Sequence, residues 1–135
     1  MLIAVTGANG FIGKHLCNYF DNQGYNFIKI QRSESINSIL INDINSEDCW
    51  IDALKNVTVV IHCAAAVHVF NKTKTFEKSM YSTNVKGTRT IAKAAAAVGV
   101  KRFIFISSIK VNGEYSISGD SFCNSSIDNA LDPYS

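Results

Sequence analysis

The chain has 135 residues, 47% of them apolar, with 13 basic and 11 acidic side chains for a net charge of +2. That length can bury one good core and no more, and near-neutral charge without a dense basic run argues against nucleic acid as a partner. The four cysteines show no CxxC spacing and no nearby histidine cluster, which argues against a disulfide framework and a zinc site.

Leu2 to Thr6 reads as a buried strand, too short for a membrane span or a signal-peptide core. It breaks into Gly7, Gly10 and Gly13, spaced G-x-x-G-x-x-G, and a helical pattern follows from Phe11 to Gln23. Ile12, Leu16, Tyr19 and Phe20 mark one side of that helix, and Gly24 stops it. Tyr25 to Ile30 is a second strand, and Ser38 to Asn42, closed by Asp43, a third and weaker one. Ser46 is placed to cap a short helix from Glu47 to Leu54, with Glu47 and Asp48 at the positive end of its dipole. Val57 to Ala64 is a nearly all-apolar fourth strand. A long helix follows from about Phe76 to Val98, its second half carrying small side chains at Ala92 and Ala94 to Ala97 that allow tight packing on a sheet. Lys101 to Ser107 is the fifth strand; after Ser108 the pattern gives way to Gly, Ser, Asn and Asp. Trp50, Phe76, Phe103 and Phe105 read as core, as does His62 in its apolar run. Asn56 and Asn71 match the glycosylation pattern, which carries no meaning without secretion.

Continuous apolar strands joined by helices imply a parallel sheet covered on both faces. Right-handed crossovers then make it a Rossmann-like, doubly wound α/β sheet of order 3-2-1-4-5. Residues 1–135 form one domain, expected to be incomplete, with neither a sixth strand nor a substrate-binding lobe. The glycine run between strand and helix has a specific use. The turn needs unusual dihedrals, an anion needs close backbone approach, and the helix must sit near the strand. The pyrophosphate of a dinucleotide is the expected guest.

Five stretches then carry a family resemblance: Thr6 to Gly13, Asp43-Ile44, Ile61 to Ala65, Asn84 to Thr88, and Phe103 to Ser108. In order and spacing they resemble the extended short-chain dehydrogenase/reductases, and within these the nucleotide-sugar epimerase/dehydratase branch. Ser107 to Glu114 is similar to bacterial UDP-N-acetylglucosamine 4-epimerases and to related 4-keto-sugar reductases of surface-polysaccharide synthesis. The resemblance implies an NAD(P)-dependent enzyme that acts on a nucleotide sugar, UDP-linked for preference, by transient hydride transfer at sugar C4. The bulk properties fit a cytoplasmic protein with no membrane, nucleic-acid or metal site, and a homo-oligomer is expected. A non-catalytic dinucleotide-binding regulatory module is the reading of a different class.

The resemblance also assigns residues. Gly7, Asn9, Gly10, Phe11, Ile12 and Gly13 hold the cofactor phosphates, with Gln31, Arg32, Asp43, Ile44, Cys63, Ala64, Ala65 and Asn84 around the rest of the dinucleotide. Ser108 matches the catalytic Ser or Thr after the fifth strand, and Tyr134 the tyrosine of a Tyr-x-x-x-Lys pair. The matching lysine falls beyond Ser135, so these residues alone are expected to lack sugar chemistry, because a nearby ammonium is what lowers a tyrosine pKa of about 10. His68, on the loop after the fourth strand, is a candidate substrate contact, and Ser108 a second. NAD-preferring members carry an acidic residue after the second strand, where this chain has Gln31-Arg32-Ser33. A guanidinium and a hydroxyl suit a 2′-phosphate, which favours NADP slightly over NAD. The uncovered edge of the fifth strand implies self-association.

Overall fold

A computed structural model describes residues 1–67, 74–113 and 121–123. Five parallel strands form one sheet: β1 (Ile3–Thr6), β2 (Phe27–Gln31), β3 (Ser38–Leu40), β4 (Val59–His62) and β5 (Arg102–Phe105). Their order is β3-β2-β1-β4-β5, as the sequence pattern requires. In register, Thr6 of β1 lies between Ile30 of β2 and His62 of β4, and His62 pairs onward with Phe105. The chain crosses one face of the sheet between β1 and β2 and the other after β3, so the reversal falls between β1 and β4. Loops leaving the carboxyl ends of those two strands diverge there and leave room for a ligand.

Helix α1 (Phe11–Gln23) covers one face, and α2 (Glu47–Ala53) with α4 (Thr88–Ala97) the other. Alternation along β1 feeds both layers: Ile3 and Val5 meet Cys17 and Phe20 of α1, while Ala4 points to Trp50, Leu54, Ile91 and Ala94. Of the small side chains read from the sequence, Ala94 and Ala95 are almost wholly buried in the α2–α4 layer, whereas Ala96 and Ala97 are exposed. Gly24 ends α1 at φ 68°, with its N–H donated to the Asp21 carbonyl.

Several details depart from the sequence reading. Four strands are shorter at their ends, and β2 is shifted, running from Phe27 to Gln31. The Ser46 hydroxyl does not cap α2 but donates to Cys49 Sγ at 3.1 Å. The long helix is not uniform. It runs as α3 (Lys74–Met80), a π-helical segment (Tyr81–Gly87) and then α4. Gly87 closes the π-helical segment against Ile44: a Cβ there would stand 2.9 Å from Ile44 Cγ1, so the glycine lets that side chain press close to the helix. Phe105 is not core. It is 52% exposed on edge strand β5, and Ile104 beside it is also exposed. No helix among the described residues is long and apolar enough to cross a membrane.

Candidate dinucleotide site

The three glycines occupy three different environments. Gly7 has φ +66°, and a Cβ on it would lie 2.7 Å from the Ala64 backbone. A Cβ on Gly13 would lie 2.2 Å from the Gly7 carbonyl oxygen and 2.8 Å from Ala8 Cα, so the helix sits directly on the turn. Gly10 is exposed, and its Cβ would meet only the Gly7 oxygen, at 3.2 Å. Gly7 and Gly13 are therefore needed by the fold itself, whereas Gly10 keeps the outer surface of the turn low. Gly10 also caps α1 without any side-chain hydrogen bond, and the first turn of α1 holds no acidic residue. The leading N–H groups of α1 thus face outward with their dipole uncompensated, an arrangement that favours an anion. Phe11 and Ile12, the first helical residues, are both exposed beside them.

Across the switch point, the loop after β4 is tied down from two sides, by Thr6 and by Asn84. The Cys63 N–H donates to the Thr6 carbonyl at 3.2 Å, and the Ala64 N–H to Thr6 Oγ1 at 3.2 Å. Asn84, inside the π-helical segment, holds Ala66 through both backbone groups: Oδ1 accepts from its N–H at 2.7 Å and Nδ2 donates to its carbonyl at 3.0 Å. Asn84 is therefore a positioning residue for the Cys63–Ala66 loop. Ala65 stands exposed on that loop, while Ala64 and Cys63 are half-buried. Burial, with a smaller contribution from nearby Cys17, pushes the Cys63 thiol above its ordinary pKa and so keeps it protonated.

His62 is a structural histidine. It is wholly buried, with Nδ1 2.6 Å from Thr6 Oγ1 and Nε2 2.9 Å from Thr88 Oγ1. Burial lowers its pKa to about 4, so the ring is neutral and bridges β1, β4 and α4.

At the end of β2, Gln31 is buried and turned toward its own loop, its Nε2 donating to the Ser33 carbonyl at 2.7 Å and to Ser35 Oγ at 2.6 Å. The Ser33 carbonyl can only accept, which fixes the amide orientation and leaves Gln31 Oε1 covered without a partner. Arg32 and Ser33 point outward instead, and Asn9 of the glycine turn donates to Ser33 Oγ at 2.9 Å. This Asn9–Ser33 contact, not visible as a sequence pattern, joins the glycine turn, which the resemblance assigns to the cofactor phosphates, to the loop after β2. Asp43 Oδ1 accepts from the Asn45 N–H at 2.9 Å, which closes the turn after β3. Ile44 is fixed twice, by its packing on Gly87 and by the Trp50 Nε1 bond to its carbonyl at 2.9 Å.

Ser108 follows β5 at the same edge of the sheet. Its Oγ accepts from the Lys110 N–H at 3.2 Å and caps a short 3-10 turn, Ile109–Asn112. His68 and Tyr134 lie outside the described residues. No group of three or more His, Cys, Asp or Glu side chains among the described residues could hold a metal ion.

The model of the NAD dependent epimerase/dehydratase family matches residues 3–135. UDP-glucose 4-epimerase of Vibrio cholerae is 39% identical over 126 residues, which span 89% of this chain and 38% of that protein. A short-chain dehydrogenase/reductase superfamily protein from Agrobacterium tumefaciens, solved with bound NAD, superposes with a TM-score of 0.87 at 26% identity, covering 99% of this chain and 40% of that one. MoeE5, solved in complex with UDP-glucose and NAD, superposes at 0.84 with 30% identity, covering 99% of this chain and 44% of that one. The chain thus spans less than half the length of each.

Proposed function

This chain belongs to the NAD dependent epimerase/dehydratase family, and we propose that it is the NAD(P)-binding portion of a nucleotide-sugar 4-epimerase. The observation that carries this reading is the glycine turn. Gly10 leaves an open backbone surface in front of the uncapped N-terminus of α1, while Gly7 and Gly13 are used up by packing. The cradle at Gly10 fits a pyrophosphate, held by the N–H groups of Phe11 and Ile12. Asp43 and Ile44 border the adenine, and the Cys63–Ala65 backbone, positioned by Asn84, runs beneath the remainder of the dinucleotide.

A bound nicotinamide supplies a reversible hydride acceptor for the carbon that bears the sugar hydroxyl. The chain's own groups handle the proton and the orientation. Tyr134 takes the proton from the C4 hydroxyl, a task that needs its phenol pKa lowered by a neighbouring cation. Ser108 holds the same oxygen. Because Ser108 Oγ already accepts the Lys110 N–H, its own proton remains free to be donated to substrate. His68 is assigned a contact with the sugar. The wider similarity to UDP-glucose 4-epimerase supports a UDP-sugar as substrate.

Arg32 and Ser33, exposed beside Asn9, support acceptance of a 2′-phosphate and hence NADP as well as NAD. They are also what favours a second reading, an NADPH-dependent 4-keto-sugar reductase. The exposed Ile104 and Phe105 side chains of β5 support self-association, which sedimentation reads directly. An assay with UDP-N-acetylglucosamine and UDP-glucose separates the two chemistries in the protein that carries this chain. Formation of the C4 epimer without net change in NAD(P)H supports the epimerase. Stoichiometric oxidation of NADPH by a 4-keto sugar replaces it with the reductase.

A further inference from the structure

We propose that the groove between the start of α2 and the outer face of the Tyr81–Ala97 helix is a second anion site, which takes the oligophosphate group of a small molecule. The groove is open to solvent and offers about 480 Å³. Lys86, Arg89 and Lys93 line one wall, all exposed, and none forms an ion pair with a described residue. Glu47 is the single carboxylate on the lining. Three cations against one carboxylate leave an excess of two positive charges, equal to the net charge of the whole chain.

Cations three and four positions apart on one helix face repel one another, and a bound anion removes that repulsion. Neutral donors complete the lining. Ser82 Oγ accepts from Asn45 Nδ2 at 3.1 Å, which ties the two walls together and leaves the Ser82 proton free for a ligand. Thr90, half-buried one position beyond Arg89, brings a second hydroxyl. From Lys86 to Lys93 the helix rises about 10 Å, a length suited to a di- or triphosphate and short for a track along a nucleic-acid duplex. The groove lies on the α2–α4 layer and adjoins the Asp43–Ile44 turn through Asn45, whereas the glycine turn opens at the head of α1 on the other layer, so the groove is separate from the pyrophosphate cradle.

The test is a titration with sodium tripolyphosphate at about 150 mM salt, where surface electrostatics are already screened, followed through backbone amide NMR shifts. Saturable shifts between Ser82 and Lys93 are expected. They should weaken at least tenfold in the exposed double variant Arg89→Gln, Lys93→Gln and persist in Gly10→Val. Shifts confined to Gly7–Gly13, the absence of saturable shifts, or equal titration of the double variant would each overturn the site.

Discussion

Gly13 rests on the carbonyl of Gly7 so closely that a Cβ at position 13 would lie 2.2 Å from that oxygen. This contact fixes where α1 begins relative to β1, and hence where its free N–H groups point. The same pair predicts a division among the glycines. Gly13→Ala must push backbone against backbone and should lose about 3 kcal/mol of stability or more. Gly10→Ala meets only a 3.2 Å neighbour and should melt close to the parent. Thermal unfolding of the two variants checks this, and equal melting temperatures would contradict it.

Asn84 sets a second expectation. Its carboxamide serves both backbone groups of Ala66, so Asn84→Ala leaves a half-buried N–H and carbonyl without partners. The expected loss is about 1–3 kcal/mol, with faster hydrogen exchange at the Ala66 amide. Asn84→Asp keeps the acceptor for that N–H and loses only the donor, so its Ala66 amide should stay better protected than in the alanine variant.

His62 gives the fold a pH dependence whose sign follows from its depressed pKa. The unfolded chain takes up the proton near pH 6.5, whereas the folded ring resists it down to about pH 4. Stability is therefore full above pH 6.5 and falls as pH drops from 6.5 to 4, by up to about 3 kcal/mol. Denaturant unfolding across that range should show a shallower dependence in His62→Gln than in the parent. Identical slopes would mean that the buried ring does not resist protonation.

Arg32 bears on cofactor choice. If its guanidinium pairs a 2′-phosphate, Arg32→Ala should weaken NADPH binding by about 1.5–3 kcal/mol and leave NADH nearly unchanged. Fluorescence titration of both cofactors reads the difference. Equal losses would make Arg32 an ordinary surface residue.

The sheet was legible because its strands are continuous apolar runs, and the glycine spacing marked the turn between β1 and α1. The resemblance supplied Asn84, but its hold on Ala66 could not be read, since that contact depends on how the loop after β4 returns to the helix. The π-helical segment was invisible for a related reason: Tyr81–Gly87 keeps helical composition, and only its backbone hydrogen bonding differs. Phe105 was misjudged because an apolar strand residue reads as core wherever its strand lies, and β5 is an edge. Gln31 turned inward because the Ser33 carbonyl and the Ser35 hydroxyl, both on its own loop, take up its amide.

The most direct measurement is isothermal calorimetry of NAD⁺ and NADP⁺ with the parent chain and with Gly10→Val, with circular dichroism showing that the variant keeps its fold. The parent should bind at least one dinucleotide, and the valine, projecting in front of the α1 N-terminus, should remove that binding. Unchanged affinity in a folded Gly10→Val protein would contradict a dinucleotide site at this turn.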